Sequence, residues 1–190
     1  MPRYSIMTPT LQRPDLIRCC DSVNSQTCTD WEHLVIYDGE FRDKEMLARI
    51  AHPQRIVMRC LVQEGAPHTW GHPCKHFAYP VAKGDYLFNL DDDNYLLRDD
   101  VFEDLKQVTG VWAIFPMTHF DKRFFNDPPG MGRTASENFL VRRDVGRWPN
   151  CTEYATDGMF VELLKLRFPY QSFPEMSPVA NLPITHSPWA

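Results

Sequence analysis

Along the first hundred residues the apolar positions switch between short continuous runs of strand length and stretches in which they recur three or four apart. Arg3-Tyr-Ser-Ile-Met7 predicts a first strand, and Thr8 to Pro14 the loop that leaves it. Pro14 suits a helix start, and Leu16, Ile17, Cys20, Val23 and Asn24 keep an approximate helical spacing, so residues 14–26 are expected as an amphipathic helix packed back on the sheet. Trp31 to Tyr37 predicts a second strand ending at Asp38-Gly39. A short helix over 42–51, a third strand over 55–62 and a helix over 72–83 follow, with Gly84 as its C′ residue. Tyr86 to Leu90 has the aromatic and branched bulk of a buried strand. Asp99-Asp100 suit the cap of a helix running through Val108, and Gly110 to Met117 and Ser136 to Val141 read as strands. Residues 119–135, with Phe120, Phe124 and Phe125, read as a loop that is either satellite packing or a flap over a substrate. Thr156 to Leu166 predicts a helix with Met159, Phe160, Leu163, Leu164 and Leu166 suited to burial, and the remainder is Pro-broken.

Such β-α-β alternation predicts an α/β fold with a largely parallel sheet and right-handed crossovers. The carboxyl ends of the strands then share one edge, where open sheets of this kind bind ligands. Thr8, Asp38 and Asp91-Asp92-Asp93 are expected to converge there from three strands. If the chain stays extended, Asp91 and Asp93 face the same side about 6–7 Å apart and repel by roughly 2–3 kcal/mol at an effective dielectric near 20. A cation is wanted, and hard carboxylate oxygens suit Mg2+ or Mn2+ holding the phosphates of a substrate. The same triplet also suits a solvated turn.

At 190 residues with no visible linker, the chain is expected to be a single domain, 1–190. A net charge of −5 with no basic stripe argues against nucleic acid as a partner. No apolar run reaches membrane-spanning length and no signal-peptide core opens the chain, so no transmembrane segment and a cytoplasmic location are expected. Six cysteines show no paired metal spacing and read as reduced packing residues.

Several segments together resemble the family 2 glycosyltransferases. These are Ser5-Ile-Met-Thr-Pro-Thr-Leu-Gln-Arg-Pro-Asp-Leu-Ile-Arg18, Asp21-Ser-Val-Asn-Ser-Gln-Thr27, Asp30-Trp-Glu-His-Leu-Val-Ile-Tyr-Asp38 and Ala82-Lys-Gly-Asp-Tyr-Leu-Phe-Asn-Leu-Asp-Asp-Asp-Asn94. They are similar to the family's Pro-Thr-Tyr-Asn-Arg loop, its Ser-(Ile/Val)-x-x-Gln-Thr helix, its strand ending in Asp-Asp and its Asp-x-Asp (DXD) segment, in that order. The resemblance implies a GT-A (Rossmann-like) sheet flanked by helices, with residues 1–98 as the nucleotide-binding half and 99–190 as the acceptor-side half. It also implies a nucleoside diphosphate sugar donor, UDP-sugar favoured, a glycan, lipid-linked or other acceptor, and Mn2+ or Mg2+ as cofactor. Thr8, Pro9, Thr10, Arg13, Asp38, Lys75, Asp91 and Asp92 would line the nucleotide site, and Asp93 would ligate the metal, with His186 as a further ligand. Asp157 matches the position of the base for inverting transfer, with Glu153 in reserve. At a helix start Asp157 equally suits a plain dipole-facing residue, whose pKa the helix would lower. His76 and Gly39-Glu40 depart from the family pattern. His33, His52, His68, His72 and His119 show no ligand spacing, and Trp70 and Trp112 are candidates to stack on sugar, with core packing the favoured role for Trp112 within its apolar strand. The competing readings are a glycosyltransferase-like domain that binds nucleotide or glycan without turnover, and a nucleotidylyltransferase, for which this chain has no supporting Gly-rich basic loop after the first strand.

Overall fold

The computed structural model describes residues 1–40, 42–60, 70–120, 122–151 and 153–181. In chain order its elements are β1 (Tyr4–Thr10), α1 (Leu16–Asn24), β2 (Trp31–Asp38), α2 (Lys44–Ile50), β3 (Arg55–Cys60), α3 (His72–Ala78), β4 (Tyr86–Asn89) and β5 (Asn94–Leu96). There follow α4 (Val101–Asp104), β6 (Trp112–Ile114), β7 (Met117–His119), β8 (Lys122–Phe124), β9 (Phe139–Arg142), α5 (Thr156–Lys165), β10 (Gln171–Ser172) and β11 (Val179–Asn181).

A seven-stranded sheet in the order β10-β6-β9-β4-β1-β2-β3 forms the centre. β1 pairs in parallel with both β2 and β4, β2 with β3 and β6 with β10, whereas β9 runs antiparallel to both β4 and β6. The fold is therefore the expected α/β class, with a mostly parallel sheet flanked by helices in a single small domain. Strand alternation divides the core between the two faces. Tyr4, Ile6, Phe88 and Leu140 pack with Cys19 and Val23 of α1 and Val101, Phe102 and Leu105 around α4. Met7, Leu34, Ile36, Leu87, Trp112 and Val141 pack on the other face with Cys74 and Ala78 of α3 and Phe160, Val161 and Leu164 of α5. A smaller cluster joins Leu16 and Cys20 of α1 to Met46 and Ile50 of α2 over Val35 and Tyr37. Among the described residues, no helix is long and apolar enough to cross a membrane.

Three expectations are corrected. First, β1 continues through Thr10, with Thr8, Pro9 and Thr10 paired to Val35, Ile36 and Tyr37. The β4 ladder reaches its last bond where Leu90 N–H donates to the Met7 carbonyl (3.0 Å). The next donor toward the Leu90 carbonyl would be the N–H that Pro9 lacks, and the Thr8 hydroxyl supplies it instead (2.7 Å). Second, Gly84 does not cap a long helix, because α3 stops at Ala78. It is glycine because a Cβ there would lie 2.5 Å from Ser5 N and 2.6 Å from the Tyr4 carbonyl carbon. Third, residues 136–138 form a 3-10 turn rather than strand, and the segment read as a loop holds the β7–β8 hairpin. That hairpin joins a second, four-stranded sheet, β5-β11-β7-β8, built from strands too short to carry a periodic signal.

Candidate functional site

The parallel strands bring Thr10 at the end of β1, Asp38 at the end of β2 and the triplet after β4 to one edge. The triplet is not extended. Asn94 N–H donates to the Asp91 carbonyl (2.9 Å), so residues 91–94 form a turn that sends Asp91 to Lys75 and leaves Asp92 and Asp93 sharing Arg13. These two cations of the chain limit the repulsion among the three carboxylates.

Asp92 is only 3% exposed, accepts the Thr10 hydroxyl at 2.6 Å and lies 3.6 Å from an Arg13 guanidinium nitrogen. Burial pushes its pKa up to about 7 against the pull of Arg13 and Thr10. Arg13 also donates to Asp93 Oδ2 (3.0 Å). Burial and the Asp91 charge raise the Asp93 pKa despite that contact. Asp91 pairs with Lys75 Nζ at 2.9 Å. Lys75 is 1% exposed, also donates to the Ser136 hydroxyl (2.7 Å), and lies 5.4 Å from the Trp148 ring centroid. Burial alone would discharge it, but Asp91, Asp157 and Glu137 around it raise its pKa, so it stays an ammonium. Burial first and the Asp91 charge second push the Glu137 carboxyl well above its ordinary pKa, and it accepts the Asn94 side-chain amide (3.1 Å).

Asp157, in the first turn of α5, faces the same cluster. Its Oδ2 accepts the Ser136 N–H (3.1 Å), and its Oδ1 is buried without a hydrogen bond, 3.5 Å from His72 Nδ1. Burial raises its pKa to about 6, with Lys75 opposing and Asp91 reinforcing. Desolvation therefore outweighs the helix dipole, which acts in the other direction. His72 opens α3, stacks on Trp148 at 5.7 Å, and has no hydrogen-bond partner of normal geometry at either ring nitrogen. Burial and then Lys75 lower its pKa to about 4, so its ring is neutral near pH 7.

The site residues read from the sequence thus separate into groups. Thr10, Arg13, Asp92 and Asp93 meet on one side, and Lys75, Asp91 and Asp157 on the other. Thr8 does not reach the edge. It is fully buried two residues short of the strand end, and its hydroxyl is used by Leu90 and by His33 Nε2 (2.9 Å). Arg55 Nε donates to His33 Nδ1 (3.1 Å), so Nε2 carries the proton and donates to Thr8. Pro9 is also buried, against Gly71. Lys75, in α3, is buried with its ammonium on Asp91 and Ser136. Trp112 is core and donates to the Phe168 carbonyl (3.2 Å). Glu153 is exposed. His186 and His68 lie outside the described residues. His72, Ser136, Glu137 and Trp148 are absent from the sequence-based site. The latter three carry no motif, and His72 becomes meaningful only because α3 and α5 bring it to Asp157.

Among the described residues, no three His, Cys, Asp or Glu side chains gather into a metal cage. Mg2+ or Mn2+ is commonly bound through one or two carboxylates together with substrate phosphates. Asp93, partly exposed at the turn and raised in pKa, has the charge and hard oxygens for it.

No family model and no curated protein sequence matches the chain. Solved structures do resemble it. S. aureus TarS aligns with a TM-score of 0.73 at 16% identity, covering 96% of this chain and 37% of that one. TarS 1–349 in complex with UDP-GlcNAc aligns at 0.73 and 15%, covering 98% and 60%. The mannosyltransferase PcManGT from Pyrobaculum calidifontis, in complex with GDP-Man and Mn2+, aligns at 0.69 and 15%, covering 99% and 58%. The chain spans less than two thirds of the length of each. At such identity the likeness establishes a shared fold.

Proposed function

We propose that the chain is a glycosyltransferase that moves a sugar from a nucleoside diphosphate sugar, UDP-sugar favoured, to an acceptor hydroxyl with inversion, using Mn2+ or Mg2+. One observation carries the reading. A carboxylate with a pKa near 6, Asp157, and an acidic turn, Asp91 to Asp93, meet at the carboxyl edge of a parallel sheet. The fold shared with proteins crystallised with UDP-GlcNAc and with GDP-Man and Mn2+ is consistent with it.

In this reading Thr10, Arg13 and Asp38 hold the nucleoside end, residues 1–98 forming the donor half and 99–190 the acceptor half. Asp93 would hold the cation, which would supply positive charge toward the leaving diphosphate. Asp92, fixed by Thr10 and Arg13, keeps the turn in place. Lys75 fixes Asp91 from below. Asp157 takes the proton of the acceptor hydroxyl as its oxygen attacks the anomeric carbon and the bond to the diphosphate oxygen breaks. A base poised near neutral pH suits that role.

The internal pairing of Arg13 with Asp93 and of Lys75 with Asp91 also supports a second reading, a domain that binds nucleotide without turnover. Incubation with a panel of UDP-, GDP- and TDP-sugars, with and without Mn2+, separates the two. Metal-dependent release of nucleoside diphosphate supports the enzyme. Metal-linked binding with no release from any donor supports the binding domain.

A further inference from the structure

Two exposed aromatic side chains lie close in sequence to His72 and Asp157, and the Tyr154 backbone contacts the His72 ring. Trp70 is 55% exposed and Tyr154 is 74% exposed, and their rings meet edge to face at 5.0 Å and 70°. Trp70 comes two residues before His72, and Tyr154 three before Asp157, so the ledge spans the entries of both helices. Trp70 and Gly71 hold successive left-handed conformations (φ 53° and 73°), and a Cβ on Gly71 would meet the Pro9 side chain at 2.8 Å. The backbone is thus pinned in a form that keeps a tryptophan outward.

An unused polar atom lies in the His72–Asp157 pair. His72 is 2% exposed and has the Tyr154 backbone against its ring without normal hydrogen-bond geometry, and Asp157 Oδ1 is buried with no hydrogen bond. Buried polar groups are ordinarily hydrogen-bonded, so Asp157 Oδ1 is a place where a ligand's donor would be accepted. A neutral imidazole presents one donor and one acceptor, and a carboxylate presents acceptors. A hydroxyl, donor and acceptor at once, complements both.

We infer that Trp70, Tyr154, His72 and Asp157 form a subsite for a neutral saccharide, whose ring lies on the aromatic ledge and whose hydroxyl enters between His72 and Asp157. This rests on the transfer reaction proposed above and assigns its acceptor class. Pyranose C–H faces are apolar and slightly positive, which suits the electron-rich face of an indole or phenol, and the ring's hydroxyls lie at its rim. A phosphorylated acceptor suits the site less. Asp157, and Glu153 near it in sequence, repel an anion, and the Lys75 ammonium beneath is occupied by Asp91 and Ser136.

The test measures binding, independently of turnover. The full chain is saturated with UDP and Mn2+ and titrated with neutral glucosides, galactosides, mannosides and N-acetylglucosaminides by ligand-observed NMR, with UDP affinity measured in parallel. At least one neutral saccharide should bind. Trp70→Ala and Tyr154→Ala should each weaken it by roughly tenfold, the order expected for losing one aromatic anchor, and Trp70→Phe should restore most of it. UDP affinity should stay within about twofold of wild type throughout, since neither side chain is among those proposed to hold the nucleotide. His72→Gln, which keeps hydrogen-bonding atoms but not the imidazole, should shift saccharide affinity and leave UDP unaffected. UDP binding with no saccharide bound from the whole panel overturns this inference alone. Saccharide binding unaffected by both alanine variants overturns it too, as does preferential binding of a phosphorylated glycan. Failure to bind any nucleoside diphosphate, with saccharide binding intact, overturns the donor reading instead.

Discussion

Asp157→Asn is expected to make the protein more stable while making it a poorer enzyme. The carboxyl has a pKa of about 6 in the fold against 3.8 for the free side chain, mainly through burial. About two pKa units correspond to roughly 3 kcal/mol of unfavourable charge held at neutral pH. The side chain retains 19% exposure, so solvent screening reduces this to roughly 1–2 kcal/mol. Asparagine is neutral, and its amide oxygen can still accept the Ser136 N–H. For a chain of this length, the gain corresponds to a Tm rise of roughly 2–8 °C at pH 8. The sign follows from proton linkage. Between 3.8 and about 6 the folded state binds more protons at this site than the unfolded state, so wild type loses stability as pH rises through that window. The difference between the proteins should therefore be full above pH 6 and vanish as pH falls toward 3.8. His72, lowered to about 4, titrates with the opposite sign but is common to both proteins. Thermal unfolding across that range measures the gap, and donor hydrolysis or transfer measures the cost, expected at roughly a hundredfold or more in turnover with donor affinity unchanged. A variant with full turnover, or one with no stability gain at pH 8, would refute the reasoning.

Asp93→Asn should remove the Mn2+-dependent part of nucleoside diphosphate binding in calorimetry while the fold stays intact; undiminished metal-linked binding would exclude Asp93 as a ligand. Lys75→Met should cost roughly 3–5 kcal/mol in denaturant unfolding, because it strands Asp91 beside Glu137 and Asp157, and a loss under about 1 kcal/mol would show that solvent reaches that cluster. Gly84→Ala should destabilise by roughly 2–4 kcal/mol, since its Cβ would enter the β1 backbone at 2.5 Å from Ser5 N. Unchanged thermal stability would mean that β1 yields there.

The elements of the first half were legible in the sequence because each carries its own repeat. Leu16, Cys20 and Val23 mark the inner face of α1, the apolar runs at Tyr4 and Trp31 mark the strands, and the charges after Leu90 mark where a strand leaves the core. The carboxylates themselves were visible for the same reason, since three acids directly after a buried strand are unusual in any local context. The environments of those acids were not visible. That the triplet turns and divides among Lys75, Thr10 and Arg13 depends on α3 and the extended β1, which are distant in sequence. Thr8 is a structural donor because Pro9 lacks an N–H opposite the Leu90 carbonyl, a fact of strand register. His72 has no neighbour in sequence to make it more than an isolated histidine. It lies 3.5 Å from Asp157 only because α3 and α5 pack on the same sheet face around Trp148. Local pattern determines which groups are charged and which segments are helix or strand. Burial and through-space neighbours, which decide pKa and hydrogen-bond partners, exist only once the chain has folded.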